Sequence, residues 1–135
     1  MKEISTAASL RISTDESALD FVTETLGVAP IRQHILGERR SPRNPQSSTF
    51  EQSIWIYESP LPDSAELHEH IESILTLLEA RMLAMDKIRG RISGIDVFCK
   101  FSSENGQGSA ELKADLLRRL ADQRIDLLID LYPPS

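Results

Sequence analysis

Along this chain, stretches in which apolar residues alternate with polar ones are interleaved with stretches in which they recur every three to four residues. The order of those two periods sketches a fold. Leu10-Arg11-Ile12 is a short strand candidate, and Ser13-Thr14-Asp15-Glu16 follows it with Ser13 and Glu16 at capping-box spacing. Leu19, Val22 and Leu26 then recur at helical spacing, and Gly27-Val28 supplies a left-handed stop, which predicts a helix from Thr14 to Leu26. Beyond a polar connection, Phe50 to Glu58 carries Ile54-Trp55-Ile56-Tyr57, aromatic and β-branched residues suited to a strand, ended by Pro60 and Pro62.

The strongest helical signal is central. Asp63 and Glu66 form a second capping pair, and Leu67, Ile71, Ile74, Leu75, Leu78, Met82 and Met85 share one face up to a stop near Gly90. A core-facing stripe is preferred over a coiled coil, because the pattern loosens at Ala84, and a break between Met82 and Lys87 is compatible with it. Next, Ile95, Val97, Cys99 and Phe101 alternate as a strand, and Asn105-Gly106 and Gly108 signal a turn. Ser109 to Leu112 then either pairs back as a strand or starts a helix. Leu112, Leu116, Leu117 and Leu120 define the last helix, and Ile125, Leu127, Ile129 and Leu131 the last strand before Pro133-Pro134.

These elements predict an α+β domain over residues 1–135, with a mostly antiparallel sheet covered by helices on one face. Two βαβ arms around a central helix (βαβ-α-βαβ) fit a ferredoxin-like variant. An open sheet with parallel neighbours is the weaker alternative, since it favours continuous apolar strands.

Composition narrows the functional classes. At 135 residues, 40% hydrophobic and 27% charged, the chain has the make-up of one soluble domain and no run long enough to span a membrane. One cysteine and an N-terminus without a secretory apolar stretch lead to the expectation of a cytoplasmic protein. The net charge of -6 disfavours general nucleic-acid and anionic-membrane binding.

Thr25-Leu26-Gly27-Val28-Ala29-Pro30, a basic loop centred on Gly37, Trp55 in the following strand and the terminal run Ile125 to Tyr132 occur together in an order that resembles the bacterial domain-of-unknown-function family DUF4279. The resemblance covers most of the chain. It implies a fold and a bacterial origin, and it hands over no catalytic motif.

The candidate chemistry lies mainly in the 22 residues from Val28 to Thr49, a connection longer than the usual limit of about 12 to 15. Arg32, Arg39, Arg40 and Arg43 against Glu38 give it a charge of +3 on an acidic chain. Arginine forks suit carboxylates and phosphates, although Pro42, Pro45 and Ser47-Ser48 equally suit a flexible solvated loop. Trp55 and Tyr57 share one side of their strand, opposite Ile54 and Ile56, as either a binding platform or, for the indole, core.

Other groups read as structural. Asp126 and Asp130 are four residues apart, about 13 Å along a strand, too far for a glycosidase pair at roughly 5 to 9.5 Å. With Tyr132 on the same face they serve to solvate the strand or blunt an edge. His68-Glu69-His70 lacks the four-residue histidine spacing of a zinc-protease helix, and Cys99 among apolar neighbours reads as an inert thiol. No cofactor or metal motif stands out, and Gly106 and Gly108 complete no phosphate loop. The expectation is a non-enzymatic protein-interaction module, of immunity or accessory type, with a protein partner engaged through Arg32, Arg39, Arg40, Arg43, Trp55 and Tyr57. The alternative is an anion-binding domain or cryptic enzyme that uses the same arginines, and a homodimer is compatible with both.

Overall fold

A computed structural model, which describes residues 4–132, arranges the chain as β1 (Ile4–Thr14), α1 (Asp20–Leu26), β2 (Arg32–His34), β3 (Ser53–Glu58), α2 (Leu67–Glu79), α3 (Met82–Arg89), β4 (Gly94–Ser103), α4 (Ala114–Asp122) and β5 (Asp126–Tyr132). The five strands form one mixed sheet in the order β2-β3-β1-β4-β5, which with four helices makes the α+β class that the periodicities predict. β2 lies antiparallel to β3, and β4 parallel to β5. The order is not that of a simple ferredoxin-like fold. A split βαβ unit leaves another strand between its parallel members, whereas β4 and β5 are direct neighbours in register from Asp96↔Asp126 to Ser102↔Tyr132. Such a pair needs a long crossover, which α4 provides.

The chain divides into two compact units that alternate along the sequence. The first takes residues up to 10, 58–80 and 96 onward. Its main helix, α2, buries Leu67, Ile71, Ile74, Leu75 and Leu78, a stripe in which each side chain contributes about 1.5–3 kcal/mol of transfer free energy. α2 starts later than expected: Glu66 is its N-cap, and the Glu69 carboxylate accepts the Glu66 N–H at 2.9 Å, leaving Asp63 outside the helix. Instead the Asp63 carbonyl accepts the Thr6 N–H at 3.0 Å, and Thr6 Oγ1 donates to the Ala65 carbonyl at 2.6 Å, so strand β1 anchors the approach to the helix. α4 buries Leu116 and Leu120 and leaves Leu117 exposed. Its Arg119 forms a two-pronged pair with Glu79 of α2 at 2.8 and 2.9 Å and reaches Glu72 at 3.1 Å. Ser109 to Leu112 forms neither strand nor helix. Gly108 ahead of it is backed against Ile4 and Phe101, where an added Cβ would lie 2.8 Å from Ile4 Cδ1.

The second unit comprises residues 11–57 and 81–95. Here the expected first helix is shortened from its N-terminal side, because β1 continues through Ser13 and Thr14 and α1 begins only at Asp20. The local capping signal loses to long-range bonds: Ser93 N–H reaches the Ser13 carbonyl at 2.7 Å, Thr14 Oγ1 donates to the Arg91 carbonyl at 2.7 Å, and Glu16 pairs with Arg91 at 2.6 and 2.9 Å. The Arg91 guanidinium also lies 3.8 Å from the Phe21 ring centroid. Gly27 closes α1 in the left-handed region, at φ 74°, as Gly27-Val28 implied. The central helix breaks at Ala80–Arg81, just before the Met82–Lys87 window, and Arg81 Nε donates to the Leu26 carbonyl at 2.9 Å, joining α3 to the end of α1. Met85 and Ile88 are buried in α3, while Met82, expected on the core stripe, is 44% exposed.

Trp55 has no exposed surface, and its Nε1–H donates to Thr23 Oγ1 of α1 at 3.0 Å. Trp55→Ala is expected to destabilise the protein by about 3–5 kcal/mol, measured as a lowered urea midpoint. Trp55→Phe, which keeps an aromatic filler and gives up the bond to Thr23, is expected to cost less than half of that.

Candidate functional site

The long polar connection turns out to be a folded hairpin. β2 pairs with β3 as Arg32↔Ile56, Gln33↔Trp55 and His34↔Ile54, so Arg32 and His34 share the sheet side of the two isoleucines and Trp55 takes the other. Past Gly37, whose φ of 90° favours glycine, the chain continues as an antiparallel ladder of backbone bonds. Gly37 N–H donates to the Phe50 carbonyl and Phe50 N–H to the Glu38 carbonyl, both at 2.9 Å, Arg39 bridges Thr49, and Arg40 N–H reaches the Ser48 carbonyl at 2.9 Å. The tip is closed by Asn44 and Ser47: Ser41 N–H donates to Ser47 Oγ, and Asn44 Oδ1 accepts the Gln46 N–H.

This frame presents charge. Arg32, Arg39, Arg40 and Arg43 are all exposed, and the side chains of Arg32, Arg39 and Arg43 have no carboxylate partner among the described residues. Phe50 is the platform under Arg40 and His34, with the His34 ring stacked at 4.5 Å and 15° and the Arg40 guanidinium 4.7 Å from its centroid. Burial, reinforced by Arg32 and, against an opposing pull from Glu38, by Arg40, pushes the His34 imidazole below its ordinary range. His34 is thereby kept neutral and stacked while the arginines carry the charge. Ile31 at 55% and Leu36 at 36% exposure add apolar area beside them.

Of the residues expected on a binding surface, the hairpin brings the four arginines together, and Trp55 falls away. The indole is core, as its length and the Thr23 hydroxyl dictate, and Tyr57 is half-buried against it with ring centroids 6.4 Å apart. His34, Phe50, Ile31 and Leu36 were missed from the sequence. Their signal was Gly37 between Arg32-Gln33-His34 and Phe50, a turn residue placed to fold one polar strand onto another.

Other groups in the first unit meet differently. A cleft of about 470 Å³ is lined by Glu66, His68, Glu72, Lys113, Asp115 and Arg119, among others, so both signs of charge line its walls. Glu66, His68 and Glu69 bring ligand-type atoms within 4.8 Å of one another, and their own bonds account for the grouping, with His68 Nε2 2.7 Å from Glu66 and Glu69 closing the helix cap. His70 goes elsewhere. It is buried, its Nδ1 hydrogen-bonded to Ser59 Oγ at 2.9 Å. Burial pushes its imidazole below the ordinary range, against the opposing Thr6 carbonyl and Glu69 carboxylate. Arg119 holds the Glu79 carboxyl below its usual range by hydrogen bonding. Asp126 and Asp130 lie on one side of β5, with Asp130 in register beside Lys100.

The family model described as a domain of unknown function, DUF4279, matches residues 2–134. No curated protein and no solved structure matches the chain.

Cys99 is buried and its thiol is pushed up to about 12 by burial, with the Asp96 charge adding to it. A thiol-reactive chromophore is therefore expected to leave it unmodified in the native protein at pH 8 and to label it fully in denaturant; rapid native labelling would contradict the buried placement. His70 makes a second measurable demand. Its folded state resists protonation while the unfolded chain takes up a proton near 6.5, so its contribution to stability is complete above that pH and is lost as the pH falls through the folded value. Thermal denaturation is expected to show stability declining as the pH falls below 6.5, with the slope flattened in His70→Gln.

Proposed function

The chain belongs to the DUF4279 family of domains of unknown function, and we propose that it is a non-enzymatic binding module whose arginine hairpin takes hold of an acidic segment of a partner protein. The observation that carries this reading is the gathering of four exposed arginines on one hydrogen-bonded hairpin, on a chain whose net charge is -6. Preordering of that kind lowers the entropy lost on binding, and unpaired guanidinium forks are ready for two-pronged contacts with carboxylates. The interspersed Ile31, Leu36 and Phe50 supply apolar area of the sort that protein interfaces use.

An acidic body repels an acidic partner except where the hairpin meets it, so the charge distribution selects orientation as well as class of partner. The same imbalance argues against nucleic acid, whose phosphates would face the acidic remainder. The reading extends to a bacterial, cytoplasmic accessory or immunity role, for which a lone buried thiol is suited. A second reading, a small anion held by the same arginines, has the guanidinium chemistry in its favour. It is weakened by shape: the arginines project from a hairpin, and clefts of about 470, 430 and 340 Å³ in the first unit are lined by none of them.

Affinity capture from a bacterial lysate, with the wild type and an Arg39→Ser/Arg40→Ser/Arg43→Ser variant compared by mass spectrometry, separates these. A stoichiometric acidic protein is expected on the wild type, lost from the variant and released as salt rises toward about 0.5 M. Equal capture by the variant would remove the hairpin from the interface. If inorganic phosphate or a dicarboxylate raises the melting temperature of the wild type alone, the second reading replaces the first.

A further inference from the structure

β5 is an edge of the sheet, and its exposure is unusual for one. Leu128, Ile129 and Tyr132 are 42–44% exposed and Leu131 is 71% exposed, so apolar side chains reach solvent on both faces of the strand. Among the described residues no strand adds to its outer side, and the sequence continues as Pro133-Pro134, which have no N–H to offer a ladder. An edge of this kind presents free backbone donors and acceptors to another strand. What decides the identity of that strand is the distribution of Asp126 and Asp130.

A second copy that continues the sheet about a two-fold axis must run antiparallel, and residues facing each other must lie on the same side of the sheet. Only registers that pair odd positions with odd and even with even satisfy this. Three of them overlap β5 substantially. Centred on Leu128, the pairing sets Asp126 of each copy against Asp130 of the other, two carboxylate clashes. Centred on Asp130, it sets that carboxylate against itself. Centred on Ile129, it has no acid opposite an acid, and it is the register that uses every residue of the strand: Ile129 meets Ile129, Leu127 meets Leu131, Leu128 meets Asp130 and Asp126 meets Tyr132. One face of the junction is then wholly aliphatic. On the other face Lys100, whose ammonium lies 4.6 Å from the Tyr132 ring centroid, is carried toward Asp126 of the second copy, so charge is matched there as well.

We propose that the protein forms a homodimer by antiparallel pairing of β5 with β5 of a second copy, centred on Ile129, which joins two five-stranded sheets into one continuous sheet. The two acids act as register keys: they penalise the neighbouring alignments and leave one open. This interaction is separate from the arginine hairpin and stands whether or not the hairpin binds a partner.

Sedimentation of the full chain over a range of concentrations tests it directly. The expected result is a reversible shift from the 15.1 kDa monomer to a species of twice that mass. Leu128→Glu, which places a carboxylate opposite Asp130, is expected to abolish the dimer, while Leu128→Lys is expected to retain or tighten it; Leu128 is exposed, and circular dichroism verifies that each variant folds. Ile129→Cys is expected to form a disulfide-linked dimer on mild oxidation, since only the residue on the axis faces its own copy, while Leu127→Cys stays unlinked. A monomer at all concentrations up to the millimolar range overturns the proposal. So does a dimer indifferent to the sign of charge at position 128, or one that links through Leu127→Cys in preference to Ile129→Cys.

Discussion

Strand β1 lies in the middle of the five-stranded order, and its eleven residues set the terms for the other elements. A central strand must find hydrogen-bond partners along both sides and cover for at least one face. β1 meets the second demand by burying Thr6, Ala8, Leu10, Ile12 and Thr14 at every second position. It also reaches past its own ladder. The Thr6 hydroxyl fastens the approach to α2 through the Ala65 carbonyl, and the Thr14 hydroxyl fastens the approach to β4 through the Arg91 carbonyl. Each threonine therefore fixes where a later part of the chain enters the fold, and replacing either by valine would remove that bond.

Much of this was legible from the chain. The α2 stripe from Leu67 to Leu78, the alternation of Val97 and Cys99 and the Gly27 stop are strong local signals, and local packing decided them. The start of α1 was not legible. Ser13 and Glu16 have the spacing of a capping box, yet Glu16 belongs to Arg91, 75 residues away, and the backbone at Ser13 belongs to Ser93. A one-dimensional pattern carries no information about a partner that distant. The order of the strands was lost for the same reason: period reveals a strand, and its neighbour is set by contacts made across the chain.

The hairpin shows the opposite failure, in which polar composition concealed order. Arg39, Arg40, Ser48 and Thr49 have no apolar alternation, and their ladder is held by backbone bonds and by Phe50 under His34 and Arg40. Stacking on an aromatic ring leaves a guanidinium edge and its N–H groups outward, so the arrangement orders the charge without neutralising it. The face of β3 was ambiguous by period alone, and a single hydroxyl resolved it, since Thr23 is the acceptor that a buried indole N–H requires.

The position of β1 also has a consequence for synthesis. Of the five strands it leaves the ribosome first, yet one of its neighbours, β4, begins at Gly94, 80 residues after Thr14. At roughly 5–20 residues per second, that neighbour arrives several seconds later. Throughout that interval the side of β1 that β4 will occupy is an open template for any extended chain nearby. After Ile4 its opening Ser5-Thr6-Ala7-Ala8-Ser9 is small, with three hydroxyl side chains, and its bulkier Leu10 and Ile12 are separated by Arg11, a composition poorly suited to the dry side-chain zippers of aggregates. The strand that must wait longest for its partner is thus also among the least adhesive while it waits.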